Sequence, residues 1–323
     1  MNVLPFETRV RVVAALVEGN SIRSTERLVG CTRNAVMRFN VTAGEACARL
    51  HDALVRDVRA ALIQADELWT FVQKKRRQVK PGDPPEMGDQ WVYVAMDSTS
   101  KLIISYRVGK RNLPETQAFV ADLRGRVLGK PQLSTDGLAF YRDAVERAFG
   151  PDVDFAQVVK SFEVPISPEA AGRYSPGRII SEDKQVVTGS PDPEKISTSH
   201  VERGNLSFRM SLRRFTRLTN GFSKKLRNLE AAVALFVAYY NFCRVHETLR
   251  VTPAMAAGLT DHIWSLGELL HAALDEPPSP VAPLAPQSDP EPIAVGMSAK
   301  QAGKLREWPS RRRGLRVIKG GLA

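Results

Sequence analysis

Three acidic residues that lie far apart in the sequence have the types and settings needed for metal chemistry: Asp66, Asp136 and Glu202. Asp66 lies within a run of β-forming residues, and Asp136 ends another short run of that kind. Glu202 falls in the first turns of a helix predicted to begin at residues 197–199. Taken alone, each acid has an ordinary explanation as a turn, cap or ion-pair residue. Together, three carboxylates in one small site repel one another unless cations lie between them.

Divalent metal ions would resolve that repulsion. Mg²⁺ accepts carboxylate oxygens and keeps waters and substrate phosphate oxygens as its other ligands. Two such ions, roughly 3.5–4 Å apart, can activate the attacking oxygen and stabilise the leaving oxygen in phosphodiester cleavage. We therefore predict that Asp66, Asp136 and Glu202 are catalytic residues that bind Mg²⁺ or Mn²⁺, as two ions.

Two further acids compete for places in this site. Asp97 could take the middle position instead of Asp136, but it falls at the tip of a predicted hairpin, which favours a role in the turn. Glu67 directly follows Asp66, and successive side chains of a strand point to opposite faces of a sheet. This alternation predicts that Glu67 is a poor ligand.

A strongly basic segment follows Glu202, with no acid before Glu230. The whole chain of 323 residues has a formal net charge of +11, which favours a polyanionic partner. We expect the side chains nearest the acids to hold phosphates and those further out to follow a DNA duplex. The first set is Arg203, Asn205 and Arg209, and the second set is Arg213, Arg214, Lys224 and Lys225.

Residues 1–46 are predicted to form an all-α domain of the helix-turn-helix kind. Two helices with apolar positions at helical spacing precede the turn Gly30-Cys31, and Thr32 can cap a third helix. The start of that third helix is where such domains read base edges. The residues predicted to contact DNA there are Arg33, Asn34 and Arg38. The alternative, a three-helix cap with a solvated polar face, stays open.

The chain between residues 63 and 250 has the predicted order β-β-β-α-β-α-β, then an insertion, then α. This is the order of a ribonuclease-H-like fold, so we predict an α/β core with a mixed five-stranded sheet and flanking helices. In that topology the first and fourth strands are neighbours, and the late helix packs across their ends. The three acids would then converge.

The remaining segments are predicted from composition. A helical linker is expected at residues 47–62, and C-terminal helices at residues 251–276. Residues 160–195 are rich in proline and glycine, which predicts an irregular insertion with a small hairpin around residues 178–188. Residues 277–323 join a proline-rich linker to a basic tail, and we expect them to be disordered.

The cysteine count and the hydropathy indicate the compartment. Cys31, Cys47 and Cys243 are scattered, which argues against a disulfide framework and favours a reducing cytoplasm. No apolar run approaches the roughly 20 residues of a membrane span. Charges at Glu7 and Arg9 interrupt the apolar stretch that a signal peptide would need. We expect a cytoplasmic protein with no membrane partner.

Short blocks around the three acids resemble the signature blocks of DDE transposases, most closely those of the bacterial insertion-sequence-one type. The blocks are Asp66-Glu67-Leu68-Trp69, Ser134-Thr135-Asp136-Gly137 and His200-Val201-Glu202-Arg203-Gly204-Asn205-Leu206. A later block, Tyr240-Asn241-Phe242-Cys243-Arg244-Val245-His246, is similar to one that follows the catalytic core in many of these enzymes. The resemblance extends over residues 60–260, with a longer separation between Asp136 and Glu202 than in most of the superfamily.

The resemblance implies a DNA transposase whose metal-binding triad is Asp66, Asp136 and Glu202. Such an enzyme hydrolyses DNA at the ends of an insertion sequence and then joins the freed 3′ hydroxyl to target DNA. It implies double-stranded DNA as partner, a homodimer or larger homo-oligomer that holds two ends together, and a place at the bacterial nucleoid. Two alternatives stay open: a catalytically inactive helix-turn-helix regulator derived from a transposase, and a general nuclease of the same fold.

Overall fold

A mixed sheet forms the centre of the chain in a computed structural model that describes residues 4–162, 179–216 and 219–275. Its strands are β1 (Leu62–Val72), β2 (Gly88–Asp97), β3 (Ile103–Gly109), β4 (Gln132–Asp136), β5 (Asp154–Phe162) and β6 (Ile179–Thr188). The helices are α1 (Phe6–Val17), α2 (Ile22–Val29), α3 (Arg33–Leu54), α4 (Leu113–Arg124), α5 (Phe140–Phe149), α6 (Ser199–Ser211), α7 (Leu226–Phe242), α8 (Pro253–Ala256) and α9 (Leu266–Asp275). These residues belong to one unit, Met1–Pro283.

The six strands are arranged in the order β3-β2-β1-β4-β5-β6. The pairs β1–β2, β2–β3 and β5–β6 are antiparallel, whereas β4 lies parallel to both β1 and β5. An antiparallel three-strand meander continued by two parallel strands is the ribonuclease-H-like arrangement that the order of elements predicts. The fold is therefore α/β with a ribonuclease-H-like core, preceded by an all-α region.

The sheet has one strand more than the predicted five. Strand β6 extends the sheet by pairing with β5 over its whole length, from Phe155↔Thr188 to Phe162↔Ile179. It lies within the segment predicted to be an irregular insertion, where a small hairpin was expected around residues 178–188; these residues instead form a single strand paired with β5. Residues 163–178 of that segment lie outside the described residues. Most of the β6 side chains are exposed, as charged edge strands commonly are, so its sequence lacks the apolar alternation that would have predicted a strand.

The two faces of the sheet bury different helices. Helices α4 and α5 pack on the face that carries Ile63, Ala65 and Tyr93. Helices α6 and α7 pack on the opposite face, around Leu68 and Val94. Because successive side chains of β1 point to opposite faces, this strand contributes to the apolar core on each side of the sheet. Residues 64, 66 and 68 lie on the face that α6 covers.

The N-terminal helices continue directly into the body of the chain. Side-chain caps begin α2 and α3, where Ser21 accepts a hydrogen bond from the Ser24 N–H (3.0 Å) and Thr32 accepts one from the Ala35 N–H (3.3 Å). Gly30 has a φ of 75° at the turn between the helices, a conformation that glycine adopts without strain. Helix α3 is a single helix of 22 residues. It contains both the predicted recognition helix of the helix-turn-helix and residues 47–54 of the predicted linker.

Helix α7 joins the N-terminal helices to the sheet. Leu235 and Ala238 of α7 pack in an apolar cluster with α1, α3 and α9, while other α7 residues pack on the sheet. Helices α8 and α9 fall in the predicted C-terminal segment, whereas the predicted linker and tail at 277–323 lie outside the described residues. Within the described ranges, no helix is long and apolar enough to cross a membrane.

Candidate active site at the ends of β1 and β4

Asp66 and Asp136 lie side by side at one edge of the sheet. Strands β1 and β4 are parallel, and their last register pair is Ala65↔Thr135. The two aspartates follow that pair on their respective strands, so they reach the same level. Asp136 ends β4, and its Oδ1 accepts a hydrogen bond from the Leu138 N–H at 3.0 Å. The predicted adjacency of these acids thus follows from the strand register.

Helix α6 is attached to β1 beside Asp66. Gln64 Oε1 accepts hydrogen bonds from the N–H groups of His200 (2.8 Å) and Val201 (3.2 Å), which are free donors in the first turn of a helix. One turn later, Asn205 Nδ2 donates to Asp66 Oδ2 at 2.8 Å. Gly204, in the same turn, lies against the end of the Met96 side chain, whose Cε would be 2.8 Å from a Cβ at position 204.

Glu202 lines a groove together with Asp136. The groove has a volume of about 440 Å³, and its lining includes Asp136, Lys160, Thr198 and Glu202. Glu202 Oε1 accepts a hydrogen bond from Thr198 Oγ1 (2.6 Å) and forms an ion pair with Lys160. The Glu202 side chain is 44% exposed. Its charge also contributes to raising the pKa of both Asp66 and Asp136, so Glu202 lies near the two aspartates.

A tight acidic group contains Glu67 instead. Among the described residues, carboxylate oxygens of Asp66, Glu67 and Asp136 lie within 4.8 Å of one another. The alternation that predicted Glu67 to be a poor ligand therefore does not keep its carboxylate away from the two aspartates. The two neighbouring side chains leave β1 on opposite faces, but β4 ends before the level of Glu67, so its longer side chain reaches the same sheet edge.

Arg111 bridges two members of this group. Its Nε donates to Glu67 Oε2 at 3.0 Å, and its Nη2 donates to Asp136 Oδ2 at 3.3 Å. The guanidinium lies over the Trp91 ring, with Cζ 4.7 Å from the ring centroid, a cation–π geometry that holds the fork in place. Nothing in the sequence around Arg111 marked it for this role.

Burial and the charges of neighbouring acids raise the pKa of each acid in the group. Burial, and then the charge of Asp136, raise the pKa of Asp66 to about 6. The same two causes, in the same order, raise the pKa of Glu67 to about 8. Burial is also the main cause that raises the pKa of Asp136, and the charge of Glu202 raises it further. Three crowded carboxylates of this kind suit a hard divalent cation, because Mg²⁺ and Mn²⁺ prefer oxygen ligands and their charge relieves the repulsion.

The residues predicted to contact DNA differ from one another in how exposed they are. Arg33, Asn34 and Arg38 are exposed on α3, and Arg203, Arg213, Lys224 and Lys225 are exposed on or beside α6 and α7. Arg209 is half-buried. Arg214 donates from Nη1 to Ser223 Oγ at 2.9 Å, and burial lowers its pKa to about 10. Asn205 is buried, and its amide binds Asp66.

Two polar residues near the site have structural roles. Asp97 Oδ2 accepts hydrogen bonds from the Ser100 N–H (2.8 Å) and Ser100 Oγ (2.5 Å), which confirms the predicted turn role. In the later sequence block, Asn241 binds both backbone groups of Ile103: its Oδ1 accepts from the N–H (3.0 Å) and its Nδ2 donates to the carbonyl (2.9 Å). Asn241 thus fixes α7 to β3.

Comparisons with known proteins gave a distant structural likeness. No protein-family model matches the chain, and no curated protein matches it. The piggyBac transposase synaptic complex with hairpin DNA superposes with a TM-score of 0.35 at 10% identity, covering 83% of this chain and 69% of that chain. A pre-cleavage Mos1 transpososome superposes with a TM-score of 0.19 at 14% identity, covering 48% of this chain and 60% of that chain.

A third structure, the Mos1 mariner paired end complex with Mn, has a TM-score of 0.19 at 16% identity and covers 42% of this chain and 55% of that one. This chain thus spans less than two thirds of the Mos1 chains. With TM-scores this low, the fold rests on the strand order rather than on the likeness.

Proposed function

We propose that this chain is a DNA transposase of the DDE type, similar to the bacterial insertion-sequence-one enzymes. The observation that carries the proposal is the placement of Asp66 and Asp136 at one level of two adjacent parallel strands, with Glu202 lining the same groove. Metal-dependent phosphodiester chemistry needs such a convergence of carboxylates. The exposed basic side chains of Arg203 and Arg213 lie along and just beyond α6, the helix that carries Glu202.

Asp66, Asp136 and Glu202 would hold Mg²⁺ or Mn²⁺, which would polarise the scissile phosphate and activate the attacking oxygen. The chain's own groups do the positioning. Asn205 orients the Asp66 carboxylate through its 2.8 Å hydrogen bond. Lys160, at the groove wall beside Glu202, provides a positive charge that can hold a phosphate oxygen once the acid binds a metal ion.

Double-stranded DNA is the substrate that the rest of the surface supports. Arg33, Asn34 and Arg38 at the start of α3 are exposed to solvent. The side chains of a recognition helix must be exposed in this way to reach base edges. Cutting and joining two element ends needs two active sites held together, so the working form is a homodimer or a larger homo-oligomer. The enzyme would act on DNA at the bacterial nucleoid.

The test is cleavage of DNA that carries element ends, in Mg²⁺ or Mn²⁺, with binding measured in parallel. Asp66→Asn, Asp136→Asn and Glu202→Gln should each abolish cleavage and strand transfer while leaving end binding largely intact. Asp183→Asn, an exposed acid on β6, is the matched control and should cut normally. Undiminished strand breakage in the Asp136 variant would overturn the assignment.

The same assay separates the two other functions. A wild-type chain that binds the ends tightly but cuts no DNA with either ion would be a regulator. A chain that cuts DNA lacking ends equally well would be a general nuclease.

A further inference from the structure

We propose that Trp69, Phe71 and Phe222, which we call the aromatic patch, form a surface on which unpaired bases of a DNA strand stack. Neighbouring cations would hold the phosphates of that strand. The inference rests on the proposed function in taking DNA as the ligand, and it adds a binding site for a single strand beside the acids. Binding alone tests it, so the chain need not cut DNA for the test to work.

The rings of the aromatic patch form a continuous series of contacts at the end of β1. The ring centroids of Trp69 and Phe71 are 5.7 Å apart, and those of Phe71 and Phe222 are 4.9 Å apart. The Gln73 N–H donates to the Ser223 carbonyl at 2.9 Å, which fixes the segment leading into α7 against the end of β1. This contact places Phe222 beside Phe71, although the two are far apart in sequence.

The aromatic patch lies outside the apolar cores. All three rings are half-buried, and none belongs to the apolar clusters that the described residues form. Helices α4 and α5 cover the same face of the sheet around Ile63, Ala65 and Tyr93, before the patch begins. Clustered aromatic surface that no core uses is the kind of exposed apolar patch that marks an interaction site.

Cations without acidic partners surround the aromatic patch. The Lys75 Nζ lies 5.8 Å from the Trp69 ring centroid and 5.9 Å from that of Phe71, a cation–π geometry. Asp83 of the same hairpin pairs with Lys74 instead, at 2.6 Å. In the part of the chain that the structure describes, these exposed residues form no ion pair: Lys75, Arg76, Arg77, Lys224 and Lys225. Rings flanked by unpaired positive charge complement a single strand, because bases stack on the rings while phosphates bind the cations.

The aromatic patch adjoins the acidic site. Trp69 follows Glu67 by two residues on β1, a distance of about 7 Å along the strand. It also lies directly opposite Trp91 on β2. The guanidinium of Arg111 covers the Trp91 ring at 4.7 Å and reaches Asp136 Oδ2 at 3.3 Å. A strand that leaves the acids can therefore pass over Arg111 to the patch.

Only unpaired bases can use these rings. In a duplex the faces of each base are covered by its neighbours, so a base must be extruded before it can stack on a side chain. Phosphates are accessible in either form. Removing a ring should therefore weaken the binding of single strands, whereas removing a cation should weaken the binding of both forms.

The rival explanation is that the rings only close the end of the sheet. Asp89, opposite Phe71 in the β1–β2 register, accepts from the Arg76 N–H at 2.9 Å, so this region also has contacts that fix the hairpin. A purely structural role predicts that ring variants lose stability but bind single strands and duplexes in the same proportion as the wild type.

The experiment measures binding of fluorescein-labelled oligothymidylate to the full chain by fluorescence anisotropy, beside a blunt duplex of the same length. Divalent ions are left out, so no strand is cut. Trp69→Leu and Phe222→Leu should each weaken oligothymidylate binding by about 5-fold or more, the low end of what one stacked base contributes, and leave duplex binding unchanged. Phe6→Leu is the matched control and should change neither affinity. Phe6 is also half-buried and stacks on a ring, that of His271, with centroids 4.1 Å apart.

Two milder variants keep the test decisive if a leucine variant fails to fold. Trp69→Phe keeps a ring, so oligothymidylate should still bind but should quench less of the tryptophan fluorescence than in the wild type. Lys75→Gln changes an exposed side chain. It should make the slope of log affinity against log salt shallower by about 0.7 for the single strand. Unchanged quenching together with an unchanged slope would contradict the inference.

The outcomes distinguish this inference from the proposed function. Wild-type oligothymidylate affinity in both leucine variants overturns the role of the aromatic patch, and cleavage of end DNA by the wild type then leaves the proposed function standing. Selective loss of single-strand binding in those variants, in a wild-type chain that cuts no DNA, supports the patch and overturns the transposase. Equal loss of single-strand and duplex binding, or a wild-type chain that binds duplex but no oligothymidylate, overturns the patch.

Discussion

Asn205 donates a hydrogen bond of 2.8 Å to Asp66 Oδ2, which links the helix carrying Glu202 to the strand carrying the first aspartate. The two residues are buried or half-buried at the contact between α6 and β1. Gln64, two residues before Asp66, holds the first turn of the same helix. The orientation of the Asp66 carboxylate and the position of α6 are therefore set together.

Asn205→Ala should reduce metal-dependent cleavage by about 10–100-fold, the usual cost of losing a group that orients a metal ligand. The variant removes the donor to Asp66 but no proposed ligand, so DNA binding should change little. Ser207→Ala, on the same helix, is the control, since its hydroxyl binds only the Arg203 carbonyl of its own helix among the described residues. Single-turnover cleavage measures the effect, and wild-type rates in Asn205→Ala would contradict it.

The exposed Lys224 and Lys225 should contribute to DNA affinity through phosphate contacts. Each phosphate contact lowers the slope of log affinity against log salt by about 0.9. Replacing both lysines with alanine should therefore make the slope shallower by about 1.8 and weaken binding similarly for all DNA sequences. Lys195→Ala, an exposed lysine paired with Asp192, serves as the control. An unchanged slope in the double variant would exclude Lys224 and Lys225 from the DNA path.

Gly44 sets the distance between α3 and α7. A Cβ at this position would lie 2.1 Å from the carbonyl oxygen of Ala231, which is backbone and cannot move aside alone. Gly44→Ala should therefore separate the helices and lower the free energy of unfolding by about 1–3 kcal/mol or more. Gly125→Ala is the matched control, because its nearest heavy atom would be at 3.5 Å and its φ is −68°. Thermal unfolding compares the two, and equal melting temperatures would refute the close packing.

His51 should make the stability of the chain depend on pH. Its Nε2 lies 3.1 Å from the Ile103 carbonyl oxygen, and burial lowers its pKa from 6.5 to about 4. Between these values the unfolded chain binds the proton and the folded chain does not, so the contribution of His51 to stability is lost as pH falls from 6.5 to 4. In His51→Gln, denaturant unfolding should show a smaller loss of stability between pH 7 and pH 4.5 than in the wild type. Parallel pH profiles for the two proteins would show that His51 does not titrate in this window.

The sequence predicted well those helices and strands whose apolar residues recur at the spacing of a helix or a strand. The β-rich runs around Asp66, Trp91 and Ile103, the helix beginning after Thr32, and the strand ending at Asp136 all occur as expected. The residues of β6 were predicted as a small hairpin within an irregular insertion, whereas they form one long edge strand. An edge strand with an exposed, charged surface has no buried face to pattern its sequence. Its strand form depends on the long pairing with β5.

The sequence by itself determined the order of the elements and the choice of Asp66, Asp136 and Glu202 as acids that could share a site. Only the tertiary structure decided what each acid contacts: Glu67 joins the two aspartates, and Glu202 forms an ion pair with Lys160. The reason is physical. Alternation along a strand specifies the face on which a side chain leaves, whereas contacts between carboxylates depend on the β1–β4 register and on where β4 ends.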